Sequence, residues 1–184
     1  VVWETWLVAR PRESGASDTS TYYSVCVTYC SMSQRYYEDI PVGDVRDLGT
    51  YTADRAELLA FAERYDPQPI HADPDVAAET MYGGVIASGW HTAGSCMRLL
   101  VDGFLAETAT LGSFGLEELR WKTPVYPGDT IHVVTRILEK TESTSRDDRG
   151  YITTEVEATN EADDEVIYWR ATNIFLTKPT DAPR

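Results

Sequence analysis

The sequence predicts an α+β domain in which one long apolar helix precedes an antiparallel sheet. Three patterns carry that prediction. Residues 113–121, 130–142, 151–159 and 166–177 are four extended runs in which apolar and polar side chains alternate, as in Tyr151-Ile-Thr-Thr-Glu-Val-Glu-Ala. Such alternation belongs to strands with one face on a core. The runs are divided by turn-forming stretches, Pro127-Gly128, Arg146-Asp-Asp-Arg-Gly150 and Glu161-Ala-Asp-Asp-Glu165, which suit antiparallel neighbours. Before them, Ser88 to Gly103 is almost wholly apolar, and long strands after such a helix indicate segregated α and β elements.

In chain order, Val45 to Tyr51 reads as a short strand. Thr52-Ala-Asp54 opens a helix with Leu58, Phe61, Ala62 and Tyr65 as its apolar stripe, because positions i, i+3, i+4 and i+7 share one face. That helix ends at Asp66, stopped by Pro67. Asp66 and Gln68 each precede a proline, which pushes a residue out of the helical region, so both should be extended on a stiff loop. Asp73 caps a short helix with Pro74 at its first position, and Gly83-Gly84 makes a turn. Ser88 is the expected N-cap of the main helix, which passes Trp90, Ala93, Met97, Leu100 and Val101 and stops at Gly103. Only Arg98, Asp102 and His91 interrupt its apolar surface, so it should be buried on nearly all sides, over a length of about 20 Å.

The ends and the composition set limits. The 184 residues, 42% hydrophobic with five tryptophans, suit one domain with a real core. Val1 to Ser31 does not match this pattern: a Ser/Thr-rich stretch lies between two short apolar pieces, and a disordered extension or an over-extended gene start is expected there, with the domain covering 32–184. No apolar run approaches the roughly 20 residues that span a bilayer, and Val1-Val-Trp-Glu-Thr-Trp-Leu lacks the features of a secretory leader. Cys26, Cys30 and Cys96 form no disulfide framework, which points to the cytoplasm. The lone Cys26-x3-Cys30 pair lacks the second half of a zinc site.

Net charge is −14, from 30 Asp and Glu against 13 Arg and three Lys. Acidity spread along the whole chain suggests a halophilic surface that stays hydrated in high salt. It argues against nucleic acid or an anionic membrane as partner, since phosphate neutralisation needs a basic stripe.

The chemistry-bearing stretch is Asp66-Pro-Gln-Pro-Ile-His71. A carboxylate and an imidazole on a rigid loop can converge on one water, and together they can remove one proton and deliver another near neutral pH. The plain structural alternative is a turn-forming Asp and a satisfied His. The groups His71, Asp73, Asp66 and His91 match no metal-site spacing, so no metal is expected. Ser88 reads as a cap or as a catalytic group, Trp90 as core or tunnel lining, His91 as structural, and His132 as a surface or interface residue.

Asp66-Pro-Gln-Pro-Ile-His71 resembles the D-x-N-P-[LIV]-H motif of the MaoC-like dehydratases, the family of the R-specific enoyl-CoA hydratases. Gly83-Gly84-Val-Ile-Ala-Ser88-Gly89-Trp-His-Thr resembles the segment leading into that family's central helix, and Pro124-Val-Tyr-Pro-Gly128-Asp129-Thr resembles its P-V-x-P-G-D-T turn. The three lie in family order, and the resemblance covers roughly 36–177. Gln68 replaces the usual Asn, Tyr65 a frequent Gly, and Ser88 the His of many hydratases.

The resemblance implies a single hot-dog domain, an antiparallel sheet wrapped around a long central helix. It implies a hydratase/dehydratase interconverting trans-2-enoyl-CoA and (R)-3-hydroxyacyl-CoA, with Asp66 and His71 as the acid/base pair. The Gly89 N–H becomes the oxyanion donor, with Gln68 and Ser88 also at the substrate. No cofactor is implied beyond coenzyme A as part of the substrate. A homodimer or dimer of dimers follows by the same resemblance. A noncatalytic acyl-CoA-binding module and a thioesterase are the alternatives; a thioesterase often carries its acid on the central helix, where this chain has only Asp102 at the far end. Because coenzyme A is polyanionic, its charge has to be met by a local cation cluster, with Arg98, Arg120 and Lys122 as the candidates, or by screening at high ionic strength.

Overall fold

A computed structural model of the chain describes residues 34–179. The expectations for Val1 to Ser31, Cys26 and Cys30 included, fall outside those residues. After a 3-10 turn at Tyr37–Asp39, the order is β1 (Val45–Thr52), α1 (Arg55–Tyr65), α2 (Pro69–Ala72), α3 (Pro74–Ala78) and α4 (Gly89–Gly103). A second 3-10 turn at Leu105–Glu107 leads to β2 (Thr110–Trp121), β3 (Thr130–Glu142), β4 (Arg149–Thr159) and β5 (Glu165–Leu176). The strands form one antiparallel sheet in the order β1-β3-β4-β5-β2. The α+β prediction and the four late strands therefore hold, with β2 starting three residues earlier than its alternation suggested.

The helix starts follow their caps. Asp54 accepts from the Ala56 and Glu57 N–H groups and starts α1, and Asp73 accepts from those of Asp75 and Val76 and starts α3. Along α1 the stripe is only half buried: Leu58 and Ala62 are in the core, whereas Tyr65 is 63% exposed, packed on Phe61 with the Arg64 guanidinium over its ring. Tyr65 sits on the last turn, past the edge of the sheet's cover, which periodicity does not reveal.

The core lies between the sheet and α4. Thr92, Cys96 and Leu100 make the buried face of the helix, opposite Ile131, Val133, Ile152, Val156, Ile167 and Trp169. The Cys96 thiol is pushed up to about 12 by that burial. Contrary to the expectation of near-complete burial, Trp90, Met97 and Val101 on the other side of α4 are exposed. One chain's sheet covers only one side of the helix. Gly103 is the last residue of α4, and a Cβ there would lie 2.9 Å from a Leu48 methyl. Phe104 then closes that end, fully buried, tilted on Phe175 at 6.2 Å between ring centroids and covered by the Arg46 guanidinium.

No described helix is long and apolar enough to cross a membrane. Emptying the Phe104 site should be costly, since no mobile neighbour can fill it. Phe104→Ala is expected to lower stability by about 3–5 kcal/mol in urea unfolding.

Candidate active site

The segment Ile86–Gly89, leading into α4, is where three separate parts of the chain meet. The Ile86 N–H donates to the Ile70 carbonyl at 3.1 Å, and the Ile86 carbonyl lies 2.9 Å from His71 Nδ1. The Ala87 N–H donates to the Val125 carbonyl at 2.8 Å. The Gly89 carbonyl accepts from the Trp121 indole N–H at 2.8 Å. The turn that follows Val125 is itself anchored, because the Gly128 N–H donates to the Ala53 carbonyl and the Ala53 N–H to that of Asp129. Gly128, at φ +98, supplies the left-handed backbone that this turn requires.

Asp66 caps the C-terminus of α1, its N–H donating to Ala62, at φ −149 and ψ 67. It leaves the helical region as expected but is not fully extended. Gln68 is extended. His71 is on the one-turn helix α2 rather than on a loop, and its side chain is buried. Chain direction reverses between the two residues, so the side chains converge: His71 Nε2 lies 3.6 Å from Asp66 Oδ2. A carbonyl oxygen only accepts, so the Ile86 contact commits the proton to Nδ1 and leaves Nε2 as the acceptor of the neutral ring.

Both Asp66 oxygens accept hydrogen bonds. The Ser88 hydroxyl donates to Oδ2 at 2.6 Å, and the Gln68 amide donates to Oδ1 at 2.7 Å. These bonds, Ser88's first and Gln68's second, hold the Asp66 carboxyl below the usual range. Ser88 also accepts weakly from the Trp90 N–H, at 3.3 Å. It thus caps α4 and orients Asp66 together, a combination that capping preference alone does not suggest. Gln68 turns its amide to Asp66 and borders the same cavity.

Asp66, His71, Gly89, Trp90, Trp121 and Val125 border one cavity of about 390 Å³. In the first turn of α4, the N–H groups of Trp90, His91 and Thr92 all bond to Ser88. The Gly89 N–H alone has no partner among the described residues, and it lies at the positive end of the helix dipole.

The other candidates separate. Trp90 borders the cavity and is 57% exposed, so it is lining and not core. His91 is half buried, edge-on to Phe61, and burial lowers its pKa against the opposing pull of Glu57. His132 is on the surface, bonded to Asp47. The expected cation cluster does not form: Arg98 pairs with Asp102 and Arg120 with Glu118 away from the cavity. Lys122 borders it, but its ammonium is held by Glu165 with Tyr168 beside it. Sequence reading missed Trp121, whose only signal was its place at the end of an extended run.

Because the Asp66 carboxyl is depressed in the folded chain, its contribution to stability is present above the ordinary carboxylate range and is lost as pH falls through the folded value. Ser88→Ala is expected to cost about 1 kcal/mol at neutral pH. The gap from wild type should narrow below about pH 4, measured by urea unfolding across pH, and the Asp66 titration should move up in carboxyl NMR.

Comparison with known proteins gives the family and the fold. A 3-hydroxybutyryl-CoA dehydratase of Methylorubrum extorquens is 30% identical over 105 residues, 56% of this chain and 64% of that protein. The uncharacterized protein YdeM of Bacillus subtilis is 26% identical over 117 residues, 63% of this chain and 81% of its own length. The crystal structure of a MaoC-like dehydratase from Rhodospirillum rubrum superposes with a TM-score of 0.72 at 39% identity, covering 79% of this chain and 99% of that one. The sheet around α4 is the hot-dog fold. With the MaoC-like domain profile matching residues 38–162, the chain belongs to the MaoC-like domain family.

Proposed function

We propose that this chain is a hydro-lyase that adds water to, or removes it from, trans-2-enoyl-CoA thioesters, with (R)-3-hydroxyacyl-CoA as the hydrated partner. The observation that carries the reading is the Asp66–His71 pair facing one cavity with an unengaged Gly89 N–H. A separation of 3.6 Å is too long for a good direct hydrogen bond, yet one water can sit about 2.8 Å from both atoms. The name of the Methylorubrum extorquens relative supports the same chemistry.

In the hydration direction, the water oxygen bonds to the β-carbon while His71 Nε2 takes its proton. The C=C pair moves towards the α-carbon, and negative charge collects on the thioester oxygen. There the Gly89 N–H meets it, preorganised and in a site walled by apolar groups. The imidazolium, stabilised by the Asp66 charge, then returns the proton to the α-carbon, and the thioester is restored. Asp66, with both oxygens already accepting, serves as orienting and stabilising carboxylate. His71 does the proton transfer.

A second copy of the chain would complete the cavity as a homodimer. Supporting this are an outer edge on β2 that is unpaired among the described residues and uncharged from Thr110 to Leu116, and exposed Phe114, Leu116 and Trp121 on that strand with Trp90 and Met97 on α4. Edge strands left bare are normally charged or covered, as β1 is by Arg46 and Asp47. Met97→Glu with Phe114→Glu is expected to sediment as a monomer with reduced turnover; a wild-type monomer would remove this part of the reading.

The reaction is tested by the loss of enoyl-thioester absorbance with crotonyl-CoA and longer chains in high salt. Asp66→Asn and His71→Ala should each lower turnover by about 10²–10⁴-fold. Thioester binding without turnover would identify a noncatalytic acyl-CoA-binding module, and release of free thiol would identify a thioesterase.

A further inference from the structure

Gly89 poses a physical problem. A donor that stabilises a developing oxyanion must be held still, yet glycine is the residue least restrained by its own chemistry. Its neighbours supply the restraint. The peptide between Gly89 and Trp90 is gripped at both ends: its N–H donates to Ser88 Oγ, and its carbonyl accepts from the Trp121 indole at 2.8 Å. The same indole occupies the space a side chain at 89 would need, since a Cβ there would lie 2.5 Å from Trp121 Nε1. Trp121 in turn stands edge-on to Trp90 at 5.2 Å between ring centroids, and both rings border the cavity. Its backbone is fixed from the opposite side, where the strand pairs with β5 at Ile167 and the next N–H, of Lys122, donates to Val166.

We propose that Trp121 is a positioning residue for the oxyanion donor. Its indole N–H holds the peptide that follows Gly89 and its ring packs on the Gly89 Cα, and together they fix the glycine torsions that orient the preceding Ser88–Gly89 peptide, whose N–H borders the cavity. The requirement is mutual: only glycine admits the indole, and the indole gives that glycine the rigidity it lacks. This rests on the hydratase reading only in the reaction that the donor serves.

The test separates the hydrogen bond from the packing. Trp121→Phe keeps a ring at the site and removes the donor. With crotonyl-CoA, kcat is expected to fall about 10–100-fold, while KM stays within about threefold and Tm within a few degrees. In ¹⁵N relaxation the Gly89 amide order parameter should drop from about 0.85 towards 0.6. A wild-type order parameter in Trp121→Phe would overturn the proposal, as would a loss confined to KM or one that merely follows Tm. If wild type turns over no enoyl thioester, the functional reading fails, and the Gly89 order parameter still decides the role of Trp121.

Discussion

The hydrogen bonding of Ile86–Gly89 is the constraint on which the site depends. Four backbone groups of the segment, the Ile86 N–H and carbonyl, the Ala87 N–H and the Gly89 carbonyl, take partners from elsewhere in the chain, as buried backbone groups must. Those partners lie on the short helix that carries Ile70 and His71, and on the segment from Trp121 to Val125. The bond that satisfies the Ile86 carbonyl also fixes the His71 ring. A structural debt of the backbone thus sets the tautomer of a candidate catalytic group, and the same segment delivers Ser88 to Asp66 and a bare N–H to the cavity. These features stand or fall together, so site geometry and local stability are two readings of one network.

Electrostatics divides the labour inside that network. Asp66 accepts from two neutral donors, which stabilises its charged form and makes it a poorer proton acceptor. His71 Nε2 faces the same space with its lone pair uncommitted. A weak carboxylate base beside an imidazole keeps a counter-charge ready for the imidazolium. Elsewhere, Arg98, Arg120, Lys122 and Arg136 each pair with a carboxylate. Exposed pairs of this kind contribute little to stability, but they engage these four cations in a chain of net charge −14.

Much of this was legible in the residues. Caps at Asp54, Asp73 and Ser88, the two-residue alternation after Thr110 and the prolines around Gln68 each carry a local rule strong enough to survive packing. The convergence of Asp66 and His71 was legible only as a suspicion, because it depends on the reversal between α1 and α2. What stayed hidden is long-range. Trp121 lies 32 residues from the carbonyl it holds, and no spacing rule links a strand end to a helix start across that distance. The reach of Gln68 back to Asp66 was hidden for another reason: an extra methylene reads as a displaced amide until the carboxylate beside it is seen to be in range.

The near-complete burial expected of α4 is not met among the described residues, and the mismatch is informative. The helix is apolar around most of its circumference, yet only Thr92, Cys96 and Leu100 are buried, with Ala93 and Leu99 partly packed against the core. An apolar row containing Trp90, Met97 and Val101 exposed beside an uncharged, unpaired strand edge is unusual for a surface that meets only water. The two surfaces border the cavity through the same rings, Trp90 and Trp121. In the proposed dimer the partner would lie against Trp90 and Trp121 at the cavity border, so that closure of the apolar surface and exclusion of water from the Asp66–His71 pair go together. Hydrogen bonds to a developing oxyanion strengthen as water leaves, which in the proposed hydratase ties the Gly89 N–H to the completion of a surface that the described residues leave open.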